Sequence, residues 1–184
     1  MSTTSQILDS AVQGERPAIT AVTQALLESE QQTRHDRQQF AEAHLMGDWR
    51  LCFSTMGKVK LGDQRLRGFY LPGWLPAQIG FAATEHGDTP ITITNQITVG
   101  LVTLKLSGPA KYSDKKNLLA FDFTQIEVCI LGKSIYNGSF PSPRSGKEFM
   151  AIPIGKLPFF AFFAVTDRYI AARGRGGGLA IWVK

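Results

Sequence analysis

Three histidines, two cysteines and a few carboxylates are the groups through which this chain could do acid–base, nucleophilic or metal chemistry. His35, His44 and His86 are scattered, without the close spacing of a metal-binding set. Ser107 and Ser139 sit beside glycine or near it, but no Gly-x-Ser-x-Gly elbow occurs and no His and acid partners are recognisable. Asp122 and Glu127 could form a carboxylate pair across a turn, although strand alternation places both on a polar, solvated face. Cys52 and Cys129 could supply a nucleophile or a chromophore attachment point. Both alternate away from the apolar positions around them, and free cysteines are commonly structural. The expectation is therefore no catalytic residue, no metal and no cofactor.

A second candidate is Arg173-Gly174-Arg175-Gly176-Gly177-Gly178, which leads into Leu179-Ala180-Ile181-Trp182-Val183-Lys184. Those glycines could serve a phosphate, an RNA or a hairpin. A phosphate loop needs a helix behind it, and the sixth position of a Gly-x-Gly-x-x-Gly pattern is Leu179. An RNA-binding Arg-Gly-Gly segment would repeat, whereas this one occurs once before residues of high β-propensity. The hairpin is favoured, and nucleic acid is not expected as a partner. In a closed barrel Arg173 could stack on Trp49, a cation–π contact of roughly 0.5–2 kcal/mol that would seal one end.

The elements that must hold these groups divide at residue 46. Residues 1–46 carry three Arg against six acids, and residues 47–184 carry seventeen Lys and Arg against nine, so the C-terminal region alone is basic. Such a face could attract anionic lipid head groups, fatty carboxylates or nucleic acid, each through the same long-range field. In the first region Ile7, Leu8, Ala11 and Val12 make one helical stripe, and a second helix begins at Pro17 with Ile19, Val22, Ala25 and Leu26. Gln31 to His44 is a polar helix tail or exposed linker, anchored by Phe40 and Leu45.

From Gly47 the period is two. Trp49, Leu51 and Phe53, Ile91 and Ile93, Val102, Leu104 and Leu106, Leu119, Phe121 and Phe123, and Ile126, Val128 and Ile130 alternate with polar residues. Asn137-Gly138 and Gly108-Pro109 are among the turn signals. About eight short strands imply an antiparallel barrel or sandwich, and an eight-stranded barrel has room for side chains or one small ligand. Phe69 to Phe81 and Ile152 to Phe160 are apolar, but their prolines oppose a regular central strand. They read as loops that cover a barrel end, line a ligand mouth or touch a membrane interface. Twelve Phe residues make either an aromatic core or a ring-lined cavity. The longest apolar run, Leu157 to Val165, is about half of the ~20 residues a spanning helix needs. The N-terminus has neither the basic start nor the apolar run of a signal or transit peptide, so a soluble protein is expected.

Leu45-Met46-Gly47-Asp48-Trp49-Arg50-Leu51-Cys52-Phe53-Ser54-Thr55 resembles the opening motif of the plastid lipid-associated proteins, or fibrillins. Asp167-Arg168-Tyr169-Ile170-Ala171-Ala172-Arg173-Gly174-Arg175-Gly176-Gly177 resembles their closing signature, in which Gly47, Trp49, Arg173, Gly174, Gly176 and Gly177 are the structural marks. The chain departs from it at Ile170, where the family commonly has Arg. The resemblance implies an N-terminal helical segment over 1–46 and a lipocalin-like barrel over 47–184. It also implies non-enzymatic binding, sheltering or transport of a lipid, prenylquinone or carotenoid at or near photosynthetic membranes, on their cytoplasmic or stromal side.

The expected cavity residues are Phe53, Leu104, Leu106, Phe121 and Phe123. The mouth is expected at Trp74, Phe81, Phe159 and Phe160, and a head group would meet Arg65, Arg67 and Lys156. The partner is an apolar small molecule, with peripheral contact to an anionic membrane or lipid-droplet surface. The alternatives are a pigment-handling enzyme of the barrel-type bilin lyase kind, and a coat of lipid surfaces without an internal ligand.

Overall fold

The computed structural model describes residues 3–60, 67–84, 91–139 and 149–184. The apolar stripe of the first helix, α1 (Thr3–Val12), buries Leu8 and Ala11. Helix α2 (Ile19–His35) follows Pro17, and the i, i+3, i+4 set Val22, Ala25 and Leu26 faces the same core. It continues through the polar stretch to His35, where Arg34 and His35 suit the negative end of the helix dipole.

The rest of the chain is mainly β: β1 (Gly47–Thr55), β2 (Gly68–Tyr70), β3 (Ala77–Ala83), β4 (Ile91–Val99), β5 (Val102–Ser113), β6 (Leu118–Phe121), β7 (Gln125–Ile130), β8 (Lys133–Ser139), β9 (Phe159–Val165), β10 (Tyr169–Gly174) and β11 (Leu179–Val183). Eight of these close an antiparallel barrel in the order β1-β3-β4-β5-β6-β9-β10-β11 and back to β1. β2 pairs with the far end of β1, while β7 and β8 leave the barrel as a hairpin on β5.

The two sides of the barrel wall carry two cores. Inside are Trp49, Phe81, Ile91, Ile93, Leu119, Phe121, Phe162, Ile170 and Trp182, joined by Phe40 and Leu45 from the linker after α2. Outside, the helices pack on Phe53, Phe163, Ala171, Leu179 and Ile181. The linker is held by Asn117, whose Oδ1 accepts from Phe40 N–H at 2.9 Å and whose Nδ2 donates to Gln38 O at 2.7 Å. Tyr112 Oη donates to Phe40 O at 3.0 Å.

Several expectations change. β3 is central, between β1 and β4, and starts immediately after Pro76, so its missing N–H falls outside the strand. Residues 152–158 form no strand, as expected, but β9 takes in Phe159 and Phe160 at the end of that segment; both its faces are covered, so no alternation marks it. Asn137-Gly138 lies within β8 and makes no turn. β6 stops at Phe121, leaving Phe123 beyond the strand. In β1 the register shifts between Leu51 and Phe53, a bulge at Cys52. Leu51 stays opposite Trp182 of the inner core, but Phe53 pairs with Ile181 and faces the helices.

Arg173 does not stack on Trp49. The ring of Trp49 has Lys184 Nζ at 5.1 Å from its centre, and its Nε1 donates to Leu45 O at 2.7 Å. Arg173 instead reaches Glu30 of α2 with Nε and Nη2, at 2.8 and 2.5 Å, while Nη1 donates to Val59 O and Gly177 O. Glu30 also accepts from Arg34 at 2.6 Å. With side-chain exposures of 18% for Arg173 and 8% for Glu30, the pair is largely withdrawn from water. Removing Glu30 leaves Arg173 charged and without a carboxylate, held only by the carbonyls of Val59 and Gly177. Glu30→Ala is therefore expected to lower unfolding free energy by about 3–5 kcal/mol, and the double variant Glu30→Leu/Arg173→Met to recover much of that loss. Urea denaturation reads both, and a single-variant loss under about 1 kcal/mol would contradict the assignment.

Candidate functional site

Strand β5 is twelve residues long and changes partner halfway. Its Ala110–Ser113 half pairs with β6, and its Val102–Ser107 half pairs with β7. The change happens at Gly108. A Cβ built there would stand 1.9 Å from Asp122 O, so only glycine lets residues 122–124 cross β5. Asp122 N–H donates to Pro109 O at 3.1 Å and Thr124 N–H to Ser107 O at 2.9 Å on either side of the crossing. Beyond it β9 stays with the barrel while β7 turns to β8, and the wall opens into a four-stranded sheet of β4, β5, β7 and β8.

Opposed residues in an antiparallel ladder share a face, so the register sorts this sheet into two surfaces. One face carries the rungs Val99–Val102–Ile130, Ile97–Leu104–Val128–Tyr136 and Asn95–Leu106–Ile126–Gly138. It has the same strand parity as Ile91, Ile93 and Ala110, which lie in the inner core, so it prolongs the barrel's interior surface. The other face carries Thr98–Thr103–Cys129, Gln96–Lys105–Glu127–Asn137 and Thr94–Ser107–Gln125–Ser139. Thr98 and Thr103 hydroxyls lie 3.0 Å apart there. The apolar face is not covered like the core it continues: Val99 is 56% exposed and Tyr136 53%.

A row of rings leads from the crossing at residues 122–124 to the barrel centre. Phe123 lies 5.1 Å from Phe121, Phe121 stacks on Phe160 at 5.1 Å, and Phe160 meets Trp182 edge-on at 5.4 Å. Phe162 continues it, 6.4 Å from Phe160 and 6.2 Å from Phe81. The barrel interior along this row is occupied by side chains. Half-buried Phe123, in the crossing between β6 and β7, is its outer end.

The expected site residues thus separate. Phe121, Phe123 and Phe160 come together, and Leu104 and Leu106 lie on the exposed sheet face. Phe53 is on the helix side of the wall, away from them. Phe81 is buried in the inner core, while Trp74 is 75% exposed in the loop before β3. Phe159 faces opposite to Phe160 and packs with Leu157 and Ile152. Arg67 and Lys156 are exposed, and Arg65 and His86 lie outside the described residues. Gly174, Gly176 and Gly177 belong to the β10–β11 turn, closed by Gly174 N–H to Gly178 O at 2.9 Å and Gly177 N–H to Gly174 O at 2.8 Å. Sequence reasoning missed Ile97, Val99 and Tyr136 of the exposed face. The missing signal is the change of partner along β5.

Among the described residues no group of His, Cys, Asp and Glu is arranged to hold a metal ion. Burial pushes the Cys52 thiol up, and its Sγ donates to Ala11 O at 3.4 Å. Desolvation, followed by the neighbouring Glu127 carboxylate, raises that of Cys129. Neither cysteine is held as the thiolate that nucleophilic chemistry uses. Asp122, expected to be solvated, is buried at 8% exposure, whereas Glu127 stands opposite Lys105 on the polar face. Further grooves lie outside the wall, one of about 560 Å³ between α2 and the β10–β11 turn, lined by Leu27, Lys58, Val59, Arg173 and Arg175 among others. No described helix is long and apolar enough to cross a membrane.

Comparison of the chain with family models, with curated proteins and with solved structures finds no match. Gly108→Ala is expected to push the 122–124 crossing off β5. The cost is about 1–3 kcal/mol in thermal or urea unfolding, with amide exchange accelerated first in β7 and β8.

Proposed function

We propose that the protein is a non-enzymatic binder of apolar small molecules, and that a prenyl or acyl chain lies on the exposed face of the β4-β5-β7-β8 sheet, against Phe123. One observation carries this reading. On one face of the sheet Ile97, Val99, Val102, Ile130 and Tyr136 are exposed and Leu104, Leu106, Ile126 and Val128 half-buried, while its reverse is Thr, Gln, Lys, Glu and Asn. Covering such a side chain is worth about 1.5–3 kcal/mol when it goes from full exposure to full burial, so the exposed ones supply most of the driving force and the half-buried ones a part of it.

The ring-filled interior favours this face over a site inside the barrel. The resemblance to plastid lipid-associated proteins supports the same class of ligand, with lipids, prenylquinones and carotenoids as candidates. The basic balance of residues 47–184 suits a head group that is anionic.

Titration with a fluorescent polyene such as diphenylhexatriene tests the reading. Wild-type protein is expected to enhance its emission saturably. Leu104→Gln/Val128→Thr, which makes the central rung polar, is expected to weaken binding by at least about tenfold with the far-ultraviolet spectrum unchanged. Equal binding by the variant, or none by the wild type, would overturn the proposal.

A further inference from the structure

The outer end of this sheet consists of two tight turns fastened together. Gly100-Leu101 joins β4 to β5 between the paired Val99 and Val102, and Leu131-Gly132 joins β7 to β8 between the paired Ile130 and Lys133. Leu131 N–H donates to Leu101 O at 2.9 Å, so the turns form one tip. Leu101 is 64% exposed and Leu131 70%. Leu131 also has φ +51° and Gly132 φ +75°, the two left-handed conformations of a type I′ turn. That geometry favours Asn or Asp at the first position, whose short polar side chains hydrogen-bond the nearby backbone and so offset the crowding of a Cβ, which Leu cannot do. The tip therefore carries a leucine that is unfavourable twice, in its backbone conformation and in its exposure. A locally better residue is easy to name, which points to a use outside the folded chain.

We propose that this twin turn is a wedge that enters an anionic lipid surface, with Leu101 and Leu131 in the acyl layer and Lys133 at the level of the phosphates. The proposal rests on the reading of the adjoining sheet face as the binding surface, and it names the phase from which that face would load. Two observations favour lipid over a protein partner. The tip is convex, with its largest apolar side chains on separate turns, and a fluid acyl layer conforms to such a shape where a protein would need a matching socket. Its charge is also of the right sign. Between 95 and 107 and between 125 and 139 the charged residues are Lys105, Lys133 and Glu127, and Glu127 opposes Lys105 on the polar face, leaving Lys133 at the tip.

Sedimentation with phosphatidylglycerol–phosphatidylcholine vesicles reads the wedge, with diphenylhexatriene binding measured alongside on the same proteins. Leu131→Asn supplies the residue the turn prefers, so its thermal midpoint is expected to equal or exceed that of the wild type. Its vesicle binding is expected to fall at least about tenfold while the polyene still binds. Leu101→Asn, on the neighbouring turn, is expected to lose vesicle binding similarly, so the result does not hang on one variant. Vesicle binding by Leu131→Asn and Leu101→Asn equal to wild type would overturn the wedge, as would a wild type that binds the polyene but no vesicles. In both cases the reading of the sheet face survives. A wild type that binds neither overturns both.

Discussion

The buried ion pair between Arg173 and Glu30 is the contact on which the arrangement of helices and barrel depends. It joins α2 to β10, and through Arg173 Nη1 it also gathers Val59 O and Gly177 O. One guanidinium thus fixes three pieces of chain that are far apart in sequence: α2, the segment at Val59, and β10 with the turn that follows it. Such a pair gains little net free energy over an apolar substitute, because both charges lose their hydration. What it supplies is uniqueness: a helix slipped by one turn would part Glu30 from Arg173, leaving it only Arg34 of its own helix. The apolar stripe of Leu8, Val22 and Leu26 could tolerate that slip, since methyl groups have no directional preference.

With the helices fixed, the linker after α2 can close one side of the interior. Phe40 and Leu45 enter the inner core, and Asn117 and Tyr112 satisfy the linker's backbone groups where water is excluded. The barrel is therefore filled by its own aromatic rings and linker. Its unsatisfied apolar surface has been moved outward, onto the sheet that opens at Gly108. A surface of this kind loses stabilisation in water whenever it is empty, and so it fits a protein whose function is to be covered intermittently.

The fold was legible in the sequence where local pattern and burial agree. The helical stripes before residue 36, the period of two from Gly47 and the β10–β11 turn at Gly174–Gly178 all appear at the expected places. It was illegible where a strand is covered on both sides, as in β9, since such a strand shows a continuous apolar run and no alternation. It also misled where one inserted residue reverses the facing. Trp49, Leu51 and Phe53 alternate perfectly on paper, yet the bulge at Cys52 sends Phe53 to the helices. For the candidate site, Phe121, Phe123, Leu104 and Leu106 could be picked out as apolar strand positions. That two of them pack in the ring row and two stand on a solvent-facing sheet could not.

Sequence alone determined the class of the protein: short N-terminal helices before an antiparallel β region with apolar and polar faces. Those features are local, set by side-chain period and by glycine and proline, and need no knowledge of what lies across the molecule. Tertiary structure alone decided that Arg173 meets Glu30 instead of Trp49, and that β5 exchanges β6 for β7 at Gly108. It also decided which apolar rows became core and which became exposed surface. Pairing between distant strands depends on which backbones can approach closely enough to hydrogen-bond, and an alternating pattern reads the same whether its apolar face is covered by the rest of the chain or left to water.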